Sequence, residues 1–239
     1  MMGLGTIVNT AAIIVGGIIG MLLGKKLPLR LQDTLMKGVG VCVLFLGIAG
    51  ALEKMLIVAD GALSSQGSMM LIASVSVGAV IGELIDIDGK MERFGVWLRS
   101  KSGSDGDTRF VDGFVTASLT VCIGAMAVVG AIQDGIGRDP STLIAKAVLD
   151  FIIVLIMAST MGKGCLFSAI PVFLLQGSVT LLSTLIAPVL TEPALSNLSL
   201  VGSVLIFCVG LNLVWGKKVK VANLLPAIVV AVGYAFLPF

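Results

Sequence analysis

Apolar residues in this chain gather into eight long stretches separated by short polar gaps. The stretches run from Leu4 to Leu23, Thr34 to Leu52, Met69 to Ile85, Val111 to Ile132, Leu143 to Met161, Leu166 to Leu190, Leu198 to Trp215 and Val221 to Leu237. Most approach the roughly 20 residues that a helix needs to cross a bilayer's hydrocarbon core. Lipid offers a backbone no hydrogen-bond partner, so each stretch is expected to be helical. The pattern predicts an all-α protein, a polytopic transmembrane helical bundle of about eight helices forming a single membrane domain over residues 1–239.

The basic residues give that bundle an orientation. Every second gap carries them: Lys25, Lys26, Arg30 and Lys37, then Lys90, Arg93, Arg99, Lys101 and Arg109, then Lys163, then Lys217, Lys218 and Lys220. These are thirteen of the sixteen Lys and Arg residues, and Lys54, Arg138 and Lys146 are the remainder. Positive charge is retained on the cytoplasmic side, so the reading places both termini outside and residues 86–110 in a cytoplasmic loop. Within that loop, Gly89 to Arg99 has the amphipathic pattern of a helix lying on the inner membrane surface, whereas Ser100 to Asp107 reads as flexible and solvated.

Repetition suggests how the bundle is organised. Val15-Gly-Gly-Ile-Ile-Gly-Met-Leu-Leu23 matches Val77-Gly-Ala-Val-Ile-Gly-Glu-Leu-Ile85. Val41-Cys-Val and Gly50-Ala-Leu-Glu53 match Val121-Cys-Ile and Gly130-Ala-Ile-Gln133 at the same internal spacing. The first two helices (1–54) are thus expected to be duplicated as the third and fourth (69–134) in parallel orientation, with residues 141–239 forming a C-terminal four-helix half. Gly16 and Gly20, like Gly78 and Gly82, lie four apart on one helix face and would let a neighbouring backbone approach closely. Such faces suit tight packing inside the bundle or the seam of a homo-oligomer, for which a dimer is the expected state.

Composition narrows the function. Hydrophobic residues make up 57% of the chain and charged residues 13%, which leaves no polar segment long enough for a catalytic domain. The chain has no GxxxxGK[ST] phosphate loop and no His, the commonest metal ligand and the usual proton relay near neutral pH. Cys42, Cys122, Cys165 and Cys208 stand singly and read as small buried hydrophobes. No cofactor, metal or nucleic-acid partner is expected. No nucleophile and base pair is recognisable, so the chain does not read as an enzyme.

Polar residues at membrane depth are the candidates for function, because each is costly there unless paired or wet. Asp150 leads. Lys146, one turn earlier on the same face, could pair with it or snorkel to the outer boundary. Gln133 and Asp134 follow Gly130 at a helix end that could unwind around an ion or small solute, or could close as an ordinary glycine-terminated helix with a solvated Asp134. Asn9, Gln176 and Asn212 lie inside three further helices, where binding and plain interhelical glue are both open. Pro171 is expected to kink the sixth helix near Phe167. Glu83, Asp86 and Asp88 read as interfacial.

Several of these segments together carry a resemblance. They are Gly3-Leu-Gly-Thr-Ile-Val-Asn9 with Gly16-Gly17, Cys122 to Gly135, Ser141 to Asp150, Phe167-Ser-Ala-Ile-Pro171 with Gln176-Gly177, and Gly210-Leu-Asn212 with Val221 to Pro226. In combination the chain resembles the domain-of-unknown-function 554 family of bacterial inner-membrane proteins. Lys163 departs from the apolar residue expected between Gly162 and Gly164. The resemblance implies a multi-pass protein of the bacterial inner membrane concerned with transport, without an established substrate.

The resulting expectation is a secondary transporter or channel for a small solute or ion, with Asp150 as charged centre and Asn9, Gln133, Asp134, Gln176 and Asn212 lining the path. The alternative is a non-transporting scaffold or sensor that associates through its glycine-rich helix faces.

Overall fold

The computed structural model describes residues 2–59, 61–137 and 139–237. The chain runs α1 (Leu4–Gly24), α2 (Leu29–Met55), a β-hairpin of β1 (Leu56–Ala59) and β2 (Ala62–Ser65), α3 (Ser68–Ile85) and α4 (Ile87–Lys101). It continues through α5 (Phe110–Cys122), α6 (Ala125–Ile132) with a π-helical extension (Gln133–Gly137), and α7 (Ser141–Met161). A 3-10 segment (Gly162–Ser168) leads into α8 (Ala169–Leu181) and α9 (Ser183–Ile186), followed by α10 (Glu192–Trp215), α11 (Val221–Leu224) and α12 (Pro226–Tyr234).

Among the described residues, five stretches are long and apolar enough to cross a membrane, or six if the bent pair α5 and α6 counts as one. One of the five is the 41-residue run Ser141–Leu181. It reverses direction at the 3-10 segment, because α7 runs parallel to α1 while α8 runs antiparallel to it. Pro171 starts α8 and does not kink it: it is the third residue of that helix, where a backbone N–H has no helical partner to lose. Another departure from expectation lies between Cys122 and Ala125. The single helix read over Val111 to Ile132 is interrupted at Ile123 and Gly124, with Gly124 at φ 138° and a bend of 59°. Only glycine adopts that backbone without strain.

The chain folds as two compact units. The first comprises Met1–Val39, Gly89–Cys122 and Met126–Ala187. Its axis is the α1–α7 pair. Gly16, Gly20 and Gly24 recur every four residues and meet the backbone of Phe151, Leu155 and Ser159, which recur at the same interval. A Cβ on Gly20 would collide with the Leu155 carbonyl oxygen, so side-chain-free positions set how close these helices lie. Helix α5 packs on the turn after α7 by the same device, Gly164 fitting against the backbone of Phe110 and Phe114. The expected cytoplasmic loop is helical through Lys101, with turns from Ser102 to Arg109.

The second unit comprises Gly40–Asp88, Ile123–Ala125 and Pro188–Phe239. Gly40, Gly47 and Gly50 pack against Leu213 and Val214, Phe207 and Ser203, so α2 and α10 are antiparallel. Gly78 and Gly82 of α3 meet the backbone of Ala227 and Asn223 on α12 and α11. Polar contacts close one end of this unit: Lys220 pairs with Glu83 at 2.7 Å, and Lys217 with the buried Asp88 at 2.5 Å. The side-chain oxygen Oδ1 of Asn223 accepts from the Asp88 backbone N–H, and its Nδ2 donates to Glu83.

Gly16, Gly20, Gly78 and Gly82 are therefore all occupied by the chain's own helices. The packing makes a measurable distinction among glycines. Gly20→Ala should destabilise the protein by about 1–3 kcal/mol through overpacking. Gly38→Ala, at an exposed helical position where an added Cβ meets nothing within 4 Å, should be neutral or stabilising by up to about 1 kcal/mol. Unfolding of both variants in detergent checks this, and equal stability would contradict it.

Candidate functional site

The polar interior of the first unit is assembled around a broken helix. Because α5 stops at Cys122, the carbonyls of its last turn have no helical N–H to accept. One of them, Val121 O, accepts from the Lys146 ammonium at 2.8 Å. Lys146 also pairs with Asp150 Oδ2 at 2.5 Å, and both side chains are buried, at 8% and 5% exposure. Of the two readings of Lys146, pairing and snorkelling, the structure has the pair. An i, i+4 spacing on α7 aligns the two groups, and the helix break supplies the second acceptor that a buried ammonium needs.

Asp150 is held from a second side. Asn9 Nδ2 of α1 donates to Asp150 Oδ2 at 3.0 Å and to Gln176 Oε1 of α8 at 3.2 Å. Only the amide nitrogen of Asn9 can face a carboxylate, which fixes its orientation. One asparagine thus joins three helices through the two hydrogens of a single NH2 group. A turn away, the Thr6 and Thr180 hydroxyls lie 3.3 Å apart and extend the contact between α1 and α8.

Asp134 is anchored to the same helix by a different route. Helix α1 begins after Gly3, whose φ is 82° and which has no side chain to cap the first turn. The cap comes from across the unit. Asp134 Oδ2 accepts from Gly5 N at 2.9 Å and from Thr6 N at 3.4 Å. The carboxylate sits where the helix dipole places about half a positive charge. A Cβ at Gly5 would lie within 3.2 Å of that oxygen and closer still to Leu143, so this approach depends on glycine. Asp134 is fully buried and so is not the solvated group of the ordinary-helix-end reading.

The six residues expected to line a path are distributed as follows. Asn9, Asp150 and Gln176 are in direct hydrogen-bond contact, and Asp134 reaches the same helix through the backbone of Gly5 and Thr6. Gln133 is exposed and accepts from the Thr142 hydroxyl at 2.6 Å. Asn212 belongs to the second unit, where its amide accepts from the backbone N–H groups of Lys218 and Val219 and donates to the Val219 carbonyl. It closes the turn after α10. Thr6, Thr180 and the Val121 carbonyl were missed; a Thr at i−3 from Asn9 and another at i+4 from Gln176 were the signal available for the first two.

Several buried polar atoms here have no partner. Among the described residues these include Asn9 Oδ1, Gln176 Nε2, Asp134 Oδ1 and Ser183 Oγ, all in the first unit. Leaving such an atom unpaired costs about 1–3 kcal/mol, and folded proteins hold few of them. The arrangement places unpaired donors and acceptors along the first turns of α1, some of them next to a carboxylate whose charge is matched by a neighbouring ammonium. No group of three potential metal ligands is assembled among the described residues.

Comparison with known proteins places the chain in context. A family model described as a protein of unknown function, DUF554, matches residues 4–236. The chain belongs to the DUF554 family. It is 30% identical over 226 residues to the uncharacterized membrane protein YdfK of Bacillus subtilis (strain 168), covering 95% of this chain and 93% of that protein. It is 28% identical over 234 residues to the uncharacterized protein YqgA of Escherichia coli (strain K12), covering 96% and 95%. No solved structure matches the chain. Membership in DUF554, a relative named as a membrane protein and the long apolar helices make this a membrane protein.

The buried pair has an energetic signature. Lys146→Met leaves the Asp150 carboxylate uncompensated and should cost about 3–5 kcal/mol, whereas Lys146→Met with Asp150→Leu should recover most of that loss. A double-mutant cycle on detergent unfolding checks the coupling; additive losses would show that the two groups do not interact.

Proposed function

We propose that this protein is a secondary transporter or channel for a small cation or polar solute, with the Lys146–Asp150 pair as its charged centre. The observation that carries the reading is the buried cluster of Asn9, Lys146, Asp150 and Gln176 beside a broken helix. Discontinuous helices at membrane depth free carbonyls and helix ends for ions and small solutes. Asp134, Thr6 and Thr180 extend the polar surface. Counted as ions, the cluster has one ammonium against two carboxylates, and the N-terminus of α1 offsets about half a charge. The balance favours a cation or a polar solute with donors over an anion.

The packing bears against one part of the scaffold reading, association through Gly16, Gly20, Gly78 and Gly82. The glycine faces on which it rested are filled by the chain's own helices, and a homo-oligomer would have to be built on other faces. The matching motifs Val15 to Leu23 and Val77 to Ile85 both use their paired glycines for close packing, on a parallel partner helix in the first unit and on an antiparallel one in the second.

We further infer eight crossings of the bacterial inner membrane with both termini outside. Lys25, Arg109 and Lys163, from three of the basic gaps, line one groove at one end of the first unit, as a shared cytoplasmic side requires. In a variant without the native cysteines, a cysteine at Ser102 should react with a membrane-impermeant maleimide only in inside-out vesicles. One at Ser64 should react only in intact cells. The opposite pattern would invert the topology.

Transport is tested in proteoliposomes with a panel of cations and small polar solutes under an imposed gradient. Asp150→Asn should lower flux at least tenfold. Because that change strands Lys146, the charge-neutral Lys146→Gln, Asp150→Asn double variant is run beside it with its melting temperature. A folded double variant with wild-type flux would exclude the pair from the path.

A further inference from the structure

The first unit carries a second feature that the buried cluster does not use: an open groove of about 410 Å³ between the last turns of α1 and α7, partly lined by the turn that contains Lys163. Its chemistry changes along its length. Ile18, Met21, Leu22, Ala158 and Met161 contribute apolar lining, and Ile18 and Leu22 are half exposed. Farther along the same helices come Lys25 and Lys163, with Arg109 beside them. From Ile18 to Lys25 the helix rises about 10 Å, enough to pass from acyl chain to headgroup level. The Arg109 guanidinium is pinned over the end of α7 by donating to the Thr160 carbonyl at 2.9 Å. Asp107 is the one acidic residue in the lining, and its Oδ1 is engaged by the Arg109 backbone N–H. Three cations thus face one carboxylate at the rim of an apolar slot.

We propose that this groove is a binding site for one anionic phospholipid, with the phosphodiester held between Lys25, Lys163 and Arg109 and an acyl chain laid along Ile18 and Leu22. The reasoning is charge complementarity joined to depth. A soluble anion would satisfy the rim and leave the apolar length unexplained. A zwitterionic lipid would bring its ammonium among three cations. An anionic headgroup with an attached chain matches both halves, and basic pockets between membrane helices on the cytoplasmic side take such lipids. This assignment also gives Lys163 a role in a turn otherwise made of glycine. It depends on the chain lying in a membrane and is independent of the transport reading.

The experiment uses the full-length protein in detergent, titrated with phosphatidylglycerol or phosphatidylethanolamine and followed by native mass spectrometry and melting temperature. Phosphatidylglycerol should bind at least tenfold more tightly and raise the melting temperature. Lys25→Gln with Lys163→Gln, both at exposed positions, should lose about fivefold in that affinity per lysine removed, with an unchanged melting temperature in the absence of lipid. Lys25→Arg with Lys163→Arg should retain it. Equal binding of the two lipids by the wild type would overturn the proposal whatever the variants do. Phosphatidylglycerol affinity that survives the double Gln substitution would also overturn it. Inorganic phosphate is the third arm: protection by phosphate that phosphatidylglycerol does not exceed would assign the groove to a soluble anion.

Discussion

A charge inside hydrocarbon survives only if its partner is built beside it, and that constraint organises the first unit of this protein. Lys146 and Asp150 are both buried on one face of α7. Their attraction alone would barely offset the cost of removing two ions from water, so the pair needs further hydrogen bonds to be tolerated. Val121 O and Asn9 Nδ2 supply them. The first is available because α5 ends at Cys122, and the second because α1 lies close to α7. Two features that look unrelated in the chain, a glycine at positive φ and a glycine stripe on another helix, serve one electrostatic requirement.

The glycine stripe meets its half of the requirement by geometry. Gly16, Gly20 and Gly24 let α1 settle onto the backbone of α7, and the same helix presents Asn9 to Asp150 and Gln176 two turns away. Helix α1 is itself terminated by an outside group, the Asp134 carboxylate, because Gly3 cannot cap it. The helix is therefore held along its length by close packing and at its start by charge. Any movement of α1 relative to α7 would disturb the cap, the glycine contacts and the hydrogen bonds to Asp150 together.

The second unit applies the close-packing rule with a buried carboxylate, Asp88, whose partner Lys217 is exposed. Its glycines bring α2 to α10 and α3 to α11 and α12, while its ion pairs, Glu83 with Lys220 and Asp88 with Lys217, gather at one end. Asn212 shows how context assigns a role. A polar residue inside an apolar helix is a candidate for binding on sequence grounds, yet near a helix end its amide is the nearest group able to satisfy the free backbone of the following turn, and it is used for that.

Membrane residence and the apolar helices were legible in the chain because lipid imposes a rule of length and polarity that acts residue by residue. Glycine spacing announced close packing, and the costliness of a buried carboxylate singled out Asp150 with Lys146 one turn away. Partners could not be read in this way, because contact is decided between segments far apart in sequence: Asn9 meets Asp150 and Gln176 across more than a hundred positions, and Gly5 meets Asp134 likewise. The break at Gly124 was hidden for a related reason. A glycine within an apolar run can remain helical or leave the helix, and the choice fell to the tertiary structure, in which a carbonyl released at the end of α5 accepts from a buried ammonium.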